Sequence, residues 1–314
     1  MADTLKAPMA VEAEPATRRV RMKPSIMLLL IAAPGILHFI IFRYIPLLGN
    51  IIVFQNYNVF RGFLGSPWAG LEHFRRMFTY PEFYQILRNT LLISLYSVVF
   101  GFPAPLILSL LFNELRGKAF PRVIQTILYL PHFISWVIIG GIFLELLSRT
   151  GVVNQFLALF GWTPVNFVTE PDYFRGVLVG VGIWRSVGWG MIIYLAAISG
   201  VDPNLYEAAF VDGAGRWRQM WHVTLPSILP AIVTLLLLRI GQLLESNVEQ
   251  VLVFLNPLVR DVGEVINTYV YRVGLLGAQF SYTTAIGIFK SLVGLTMVVS
   301  LNALSKRLTG ESIY

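Results

Sequence analysis

The sequence predicts an all-α, polytopic membrane protein with six transmembrane helices. Of its 314 residues 56% are hydrophobic, only 13% are charged, and the mean hydropathy is +0.68. A soluble domain carries about 25% charged residues. A chain of this size with half that proportion cannot cover itself with water-compatible surface, so the excess apolar material faces lipid. The same numbers exclude a disordered chain. The absence of cysteine excludes a disulfide scaffold, cysteine-ligated metal and thiol nucleophiles.

A helix needs about 20 mostly apolar residues to cross the hydrocarbon core. Six stretches qualify: 25–48, 89–112, 123–147, 176–200, 225–245 and 281–305. The first contains Pro34 and Gly35, which membrane helices tolerate when neighbours satisfy the freed backbone groups. It is too long for a signal-peptide core, and no small-x-small cleavage site follows it. The division expected is a cytoplasmic tail over 1–24 and a permease domain over 25–314.

The net charge of +7 is spread over the ends of the apolar segments instead of forming one patch, which argues for orientation in a membrane and against nucleic acid. Lys6, Arg18, Arg19, Arg21, Lys23, Arg116, Lys118, Arg122, Arg216, Arg218, Lys306 and Arg307 fall on one side. Arg61, Arg75, Arg76, Arg88, Arg149, Arg175, Arg260 and Arg272 fall on the other, in much longer loops. Both termini are therefore expected to be cytoplasmic. The outer connection 49–88 is rich in Phe, Tyr and Trp, which suits an aromatic belt with helices lying on the bilayer or a docking surface for an extracytoplasmic partner.

The cytoplasmic connection 201–224 has its own pattern, VDPNLYEAAFVDGAGRWRQMWHVT. Asp202 suits a helix N-cap and Pro203 the first helical position, where its missing N–H is no loss. Gly213 suits the end of that helix, because glycine reaches the left-handed region cheaply. A second amphipathic stretch, 214–222, leads to Pro226 and the fifth span. Ala208, Ala209, Gly213 and Ala214 allow another surface to approach closely.

Glu207-Ala208-Ala209, three residues, Gly213, nine residues, then Val223-x-Leu225-Pro226 resembles the EAA signature of ABC importer permeases, with Val223 in place of isoleucine as the one departure. YLPHFISW at 129–136, residues 88–105, GWGMIIYLAAI at 188–198 and TYVYRVG at 268–274 resemble the branch of maltose-type permeases that serves complex saccharides, the LplB-like oligosaccharide permeases. The resemblance implies the type I ABC importer architecture in a bacterial cytoplasmic (inner) membrane. It also implies a second related permease, two copies of a cytoplasmic ABC ATPase that carries the ATP and Mg, and an extracytoplasmic solute-binding protein that delivers an oligosaccharide. Glu207, Ala208, Ala209, Asp212, Gly213 and Ala214 would then seat the loop in a cleft of the ATPase. Closure of the ATPase dimer would turn the attached spans as a body and open the cavity outward. Phe210, Trp217, Met220 and Trp221 would pack the loop against the spans, and Arg216 and Arg218 would reach lipid head groups or the ATPase.

Ionisable groups at membrane depth are expensive and mark candidate sites. Arg185 lies within span four, Arg239 in span five and Lys290 in span six. Arg239, Gln242, Ser246 and Glu249 or Gln250 recur at helical spacing and predict a polar stripe along span five and its extension. Trp184 and Trp189 offer aromatic faces for a sugar. Two readings stand together: these residues line the substrate path, or Arg185 and Arg239 pair with Glu145 and Glu245 to satisfy buried charge. Three cations against few deep acids favour an acidic saccharide such as an oligo-uronate. Gly180, Gly182, Gly188, Gly190 and the Gly140–Gly141 pair fit close helix packing. His38 and His132 fit ordinary packing better than a proton relay.

No phosphate-binding Gly-x-x-x-x-Gly-Lys-Ser/Thr loop is present, so ATP would bind elsewhere in the assembly. Neither a metal-binding nor a catalytic motif is present, which counts against a membrane-embedded enzyme. Nor is there the internal repeat usual in a stand-alone secondary transporter.

Overall fold

The computed structural model describes residues 24–115, 117 and 119–309, with no strand among them beyond an isolated bridge between Gln55 and Trp68. The tail 1–23, residues Arg116 and Lys118, and the side chains of Lys306 and Arg307 lie outside the described residues, and with them much of the charge asymmetry.

Four helices are long and apolar enough to cross a bilayer: Ile26–Phe54, Pro81–Asn113, Pro171–Ser199 and Phe280–Ala303. Two further spans are bent pairs, Ala119–Phe133 with Trp136–Leu146 at 102° and Arg216–Ser227 with Leu229–Gly241 at 61°. Each bent pair taken as one span gives the expected six. The chain forms two compact units, Met1–Asn50 and Ile51–Tyr314. The described part of the first is the apolar helix Pro24–Phe39, which continues as a wider π-turn over Ile40–Tyr44 and a last turn over Ile45–Leu48.

The second unit holds the other five spans. Its third span is not the continuous helix predicted over 123–147. The Ala119–Tyr129 helix tightens into a 3₁₀ turn at Leu130–Phe133, Ile134 turns extended, and Ser135 caps a new helix by accepting the Ile138 N–H at 3.4 Å. Pro131 supplies no N–H to continue the ladder, which explains the break. The guanidinium of Arg185 takes up the freed carbonyls, donating to His132 O at 3.1 Å and Ile134 O at 3.3 Å.

Span five also departs from the expectation. Its helix ends at Gly241, and a separate helix, Val248–Phe254, begins where Asn247 Oδ1 accepts the Gln250 N–H at 3.0 Å. The predicted stripe from Arg239 to Gln250 therefore does not lie on one helix.

Three apolar clusters hold the unit together. Trp136, Ile139, Phe174, Leu178, Val251 and Phe254 join the third and fourth spans to the Val248–Phe254 helix. Met77, Phe83, Ile86, Tyr269, Tyr282 and Ile286 join the second and sixth. Tyr194, Ile198, Ile228 and Ile232 pack at the end that carries the 201–224 loop. In the connection 49–88 the helix Glu72–Thr79 buries His73 and Met77 against the protein, while Phe60, Trp68 and Phe78 are exposed.

Glycines allow the closest approaches. A Cβ at Gly188 would collide with the Leu128 carbonyl, one at Gly140 with Val253, and one at Gly263 with Phe174. Gly182 and Gly190 are tight against Gln250 and Pro105, but Gly141 and Gly180 have open space and serve no close approach among the described residues.

Candidate functional site

The 201–224 loop folds as a helix, a glycine turn and a short second helix. Asp202 Oδ1 accepts the Asn204 N–H at 2.9 Å and starts the helix Pro203–Val211. Gly213, at φ +76°, reverses the chain, with Gly213 N–H donating to Phe210 O and Ala214 N–H to Ala209 O. The helix Arg216–Gln219 widens into a π-turn over Met220–Thr224 and runs into Leu225 and Pro226. Three contacts tie the loop down. The Tyr206 hydroxyl lies 2.9 Å from Thr224 Oγ1, Gln219 donates to Ala214 O at 3.0 Å, and Arg216 meets both the carboxylate and the carbonyl of Glu114 at the end of span two.

Glu207, Ala208, Asp212 and Gly213 are exposed, while Ala209 and Ala214 are half-buried against each other's turn. The expectation that four large side chains pack the loop against the spans holds only for Met220. Phe210, Trp217 and Trp221 are exposed, and the contacts that tie the loop down run instead through Tyr206–Thr224 and Arg216–Glu114. Arg216 pairs with Glu114 within the chain and remains about half exposed, with its side chain 52% accessible.

Deeper in the unit lie two cavities of about 130 and 400 Å³, which share Ser97, Leu178, Arg239, Asn247 and Gln250. The smaller also takes in Gln242, Glu245 and Ser246, and the larger Trp136, Arg185, Ser186 and Trp189. A groove of about 670 Å³ continues along the same helix, from Asp172 and Arg175 to Ile183. The break after Gly241 thus brings together Arg239, Gln242, Ser246 and Gln250, which the sequence links by a different geometry.

Arg239 has no hydrogen-bond or ion-pair partner among the described residues, so its charge is available at the junction of the two cavities. Trp189 stacks on His132, ring centroids 4.4 Å apart and planes 3° apart, and lines the larger cavity. Arg185 lies over the Trp136 ring at 4.6 Å, and its charge is engaged by carbonyls, not by Glu145.

Three predicted path residues are placed elsewhere. Trp184 packs edge-on against Phe143 and lines none of these spaces. Glu249 is exposed outside them, one residue from the inward-facing Gln250. Lys290 lines none of these spaces and is bonded to Glu245 Oε1 at 2.8 Å and Asn267 Oδ1 at 3.0 Å, so Glu245 pairs with Lys290 and not with Arg239.

Sequence reasoning missed Trp136 as a cavity residue. It is 4% exposed, and its indole N–H is itself buried with no partner among the described residues. Ser246 Oγ is likewise buried and unpartnered. A scaffold network was missed too, because its members are far apart in sequence. Arg272 grips Glu264 at 2.7 and 2.8 Å and Glu82 at 2.9 Å, and Tyr269 donates to Glu82 at 3.2 Å. The Glu264 hydrogen bonds, against the opposing effect of burial, push the Arg272 guanidinium above its ordinary range. Beside it Arg175 donates to Asn89 Oδ1 and Val262 O, and Asn89 to the carbonyls of Asp261 and Glu264.

Comparison with known proteins fits this geometry. Residues 97–310 match the family described as "Binding-protein-dependent transport system inner membrane component". The polygalacturonan/rhamnogalacturonan transport system permease protein YteP of Bacillus subtilis (strain 168) is 48% identical over 288 residues, covering 91% of this chain and 90% of that protein. Protein LplB of the same organism is 43% identical over 288 residues, 91% of each chain. The crystal structure of a bacterial ABC transporter involved in the import of the acidic polysaccharide alginate aligns with a TM-score of 0.84 at 40% identity, covering 91% of this chain and 96% of that one. The chain therefore belongs to the binding-protein-dependent transport family as a multi-pass inner-membrane ABC permease, a transport subunit and not an enzyme.

Proposed function

We propose that this permease forms half of the pore of an ATP-driven importer for acidic oligosaccharides. The observation that carries the reading is the unpartnered Arg239 guanidinium at the junction of two cavities lined by serine, asparagine, glutamine and tryptophan residues. A sugar presents hydroxyls and a flat apolar face, and a uronate adds one carboxylate per ring. Gln242, Asn247 and Gln250 suit the hydroxyls, Trp189 suits the ring face, and Arg239 suits the carboxylate. The substrates in the names of two relatives, polygalacturonan/rhamnogalacturonan and alginate, support an acidic cargo.

The second half of the pore is a related permease. Two copies of an ABC ATPase supply ATP and Mg from the cytoplasmic face, where the 201–224 loop and both termini lie. A solute-binding protein delivers the saccharide from the opposite face. A bacterial alginate ABC transporter, 39% identical to this chain, crystallised in complex with its alginate pentasaccharide-bound periplasmic protein, and that assembly supports such a delivery. The exposed Glu207, Ala208, Asp212 and Gly213 surface seats in the ATPase, and Ala209 and Ala214 hold its turn. When ATP closes the ATPase dimer, the Tyr206–Thr224 contact passes the displacement to span five and the Arg216–Glu114 pair passes it to span two, so the cavity walls move with the loop.

Reconstitution of this permease with its sister, the ATPase and the binding protein tests the reading. Uptake of an oligogalacturonate requires all four components and ATP. Uptake without ATP, or equal uptake of a neutral oligosaccharide of the same length, contradicts it.

A further inference from the structure

The segment between the third and fourth spans is built unlike the other connections. Phe167 N–H donates to Leu147 O, so the chain leaves the end of the Trp136–Leu146 helix and returns to the same level. Asn154, 3% exposed, clamps the enclosed loop. Its amide donates to Ser148 O and Val165 O at 2.7 Å each, and its carbonyl accepts the Val165 N–H at 3.0 Å. The short helix Val152–Ala158 is thereby held with its Asn154 side against the protein. Gly161, at φ +79°, ends it, with Gly161 N–H donating to Ala158 O and Trp162 N–H to Leu157 O.

The other side of this helix and the turn that follows carry Val152, Phe156, Leu159, Phe160 and Trp162, each 59–79% exposed. Val152, Phe156 and Phe160 follow one another at four-residue spacing, and the rings of Phe156 and Phe160 meet edge to face at 5.3 Å. Residues 151–169 contain no Asp, Glu, Lys, Arg or His.

We infer that residues 152–162 are an interfacial anchor, embedded in the boundary between lipid head groups and acyl chains at the end of the bundle opposite the 201–224 loop. Three observations select lipid as the occupant. A docking surface for a dissociable protein carries a polar, charged rim, and this segment has no charge to build one. The adjoining helix likewise exposes apolar side chains, Val137, Ile138 and Ile142, that suit lipid. The return of the chain to Leu147 fixes the helix at the depth where the apolar span ends, the depth that Trp162 and Phe160 favour. The anchor fixes the depth of the junction between spans three and four while the 201–224 end moves.

The chain has no cysteine, so a single introduced one is a unique label site. Phe156→Cys and, separately, Leu159→Cys would carry an environment-sensitive fluorophore, with the permease assembled with its sister and the ATPase in lipid nanodiscs. Lipids bearing a nitroxide near the head group should quench both labels and aqueous iodide should not, with no change on adding the binding protein. Quenching by iodide that is relieved by the binding protein would overturn the proposal in favour of a docking surface. Protection from both quenchers would overturn it in favour of burial against the sister permease.

Discussion

The Tyr206 hydroxyl and Thr224 Oγ1 lie 2.9 Å apart and close the 201–224 loop from its first helix to the threshold of span five. Thr224 is buried, so the bond is shielded from water and joins two elements that must move together. Tyr206→Phe removes it while keeping the ring, at a cost of about 1 kcal/mol. The expected outcome is a looser transmission: about fivefold more ATP hydrolysed per saccharide imported, on the conversion of ~1 kcal/mol to a ratio. Unchanged stoichiometry in proteoliposomes counts against a transmitting role.

Gly213 supplies the reversal between the two loop helices at φ +76°, and a Cβ there meets nothing within 4 Å. Within this chain Gly213→Ala thus perturbs backbone conformation and not packing. A left-handed alanine costs about 1–2 kcal/mol, so ATPase affinity for the permease pair, measured by titration in detergent, should fall about tenfold. Gly213→Asn, which visits that region more readily, should recover part of the loss.

Gly188 and Gly141 look alike in the sequence and differ in the fold. A methyl at Gly188 strikes the Leu128 carbonyl, whereas one at Gly141 enters open space. Gly188→Ala should destabilise the purified permease by about 1–3 kcal/mol. Gly141→Ala should leave the thermal midpoint unchanged or raise it slightly, since alanine is favoured by about 0.5–1 kcal/mol in a helix.

Glu264 is 3% exposed and depends on Arg272 for its counter-charge. Arg272→Met strands that carboxylate and should cost about 3 kcal/mol or more, read as a lower thermal midpoint. Adding Glu264→Gln to Arg272→Met should return part of the loss by removing the buried charge. A double variant as unstable as the single one would show that packing of the Arg272 stem, not charge, dominates.

The sequence exposes what depends on local pattern. Apolar runs locate the spans, and Asp202, Pro203 and Gly213 give the loop its helix start and reversal, because capping and left-handed backbone act over a few residues. What escapes is decided by tertiary partners. Pro131 lies in an apolar run that reads as one helix, and its 102° break is stabilised by Arg185, more than fifty residues away. Lys290 reads as a free intramembrane cation until Glu245 and Asn267 are placed beside it. Phe210, Trp217 and Trp221 read as packing residues because their type favours burial, and only the fold shows them exposed. The cluster of Arg239, Gln242, Ser246 and Gln250 is legible from helical spacing, although the chain assembles it across a helix break.

The role of the cavity in substrate choice rests on one side chain, and the selectivity of Arg239→Gln decides it. In proteoliposomes that contain the complete importer, the measurement is the ratio of ATP-driven uptake of an oligo-uronate to that of its carboxyl-reduced, neutral counterpart. A charge-assisted hydrogen bond contributes about 1.5–3 kcal/mol, so the ratio should fall by roughly tenfold or more, with uptake of the neutral chain and basal ATP hydrolysis retained. An unchanged ratio in a variant that still transports would contradict the assignment of this cavity to an acidic saccharide.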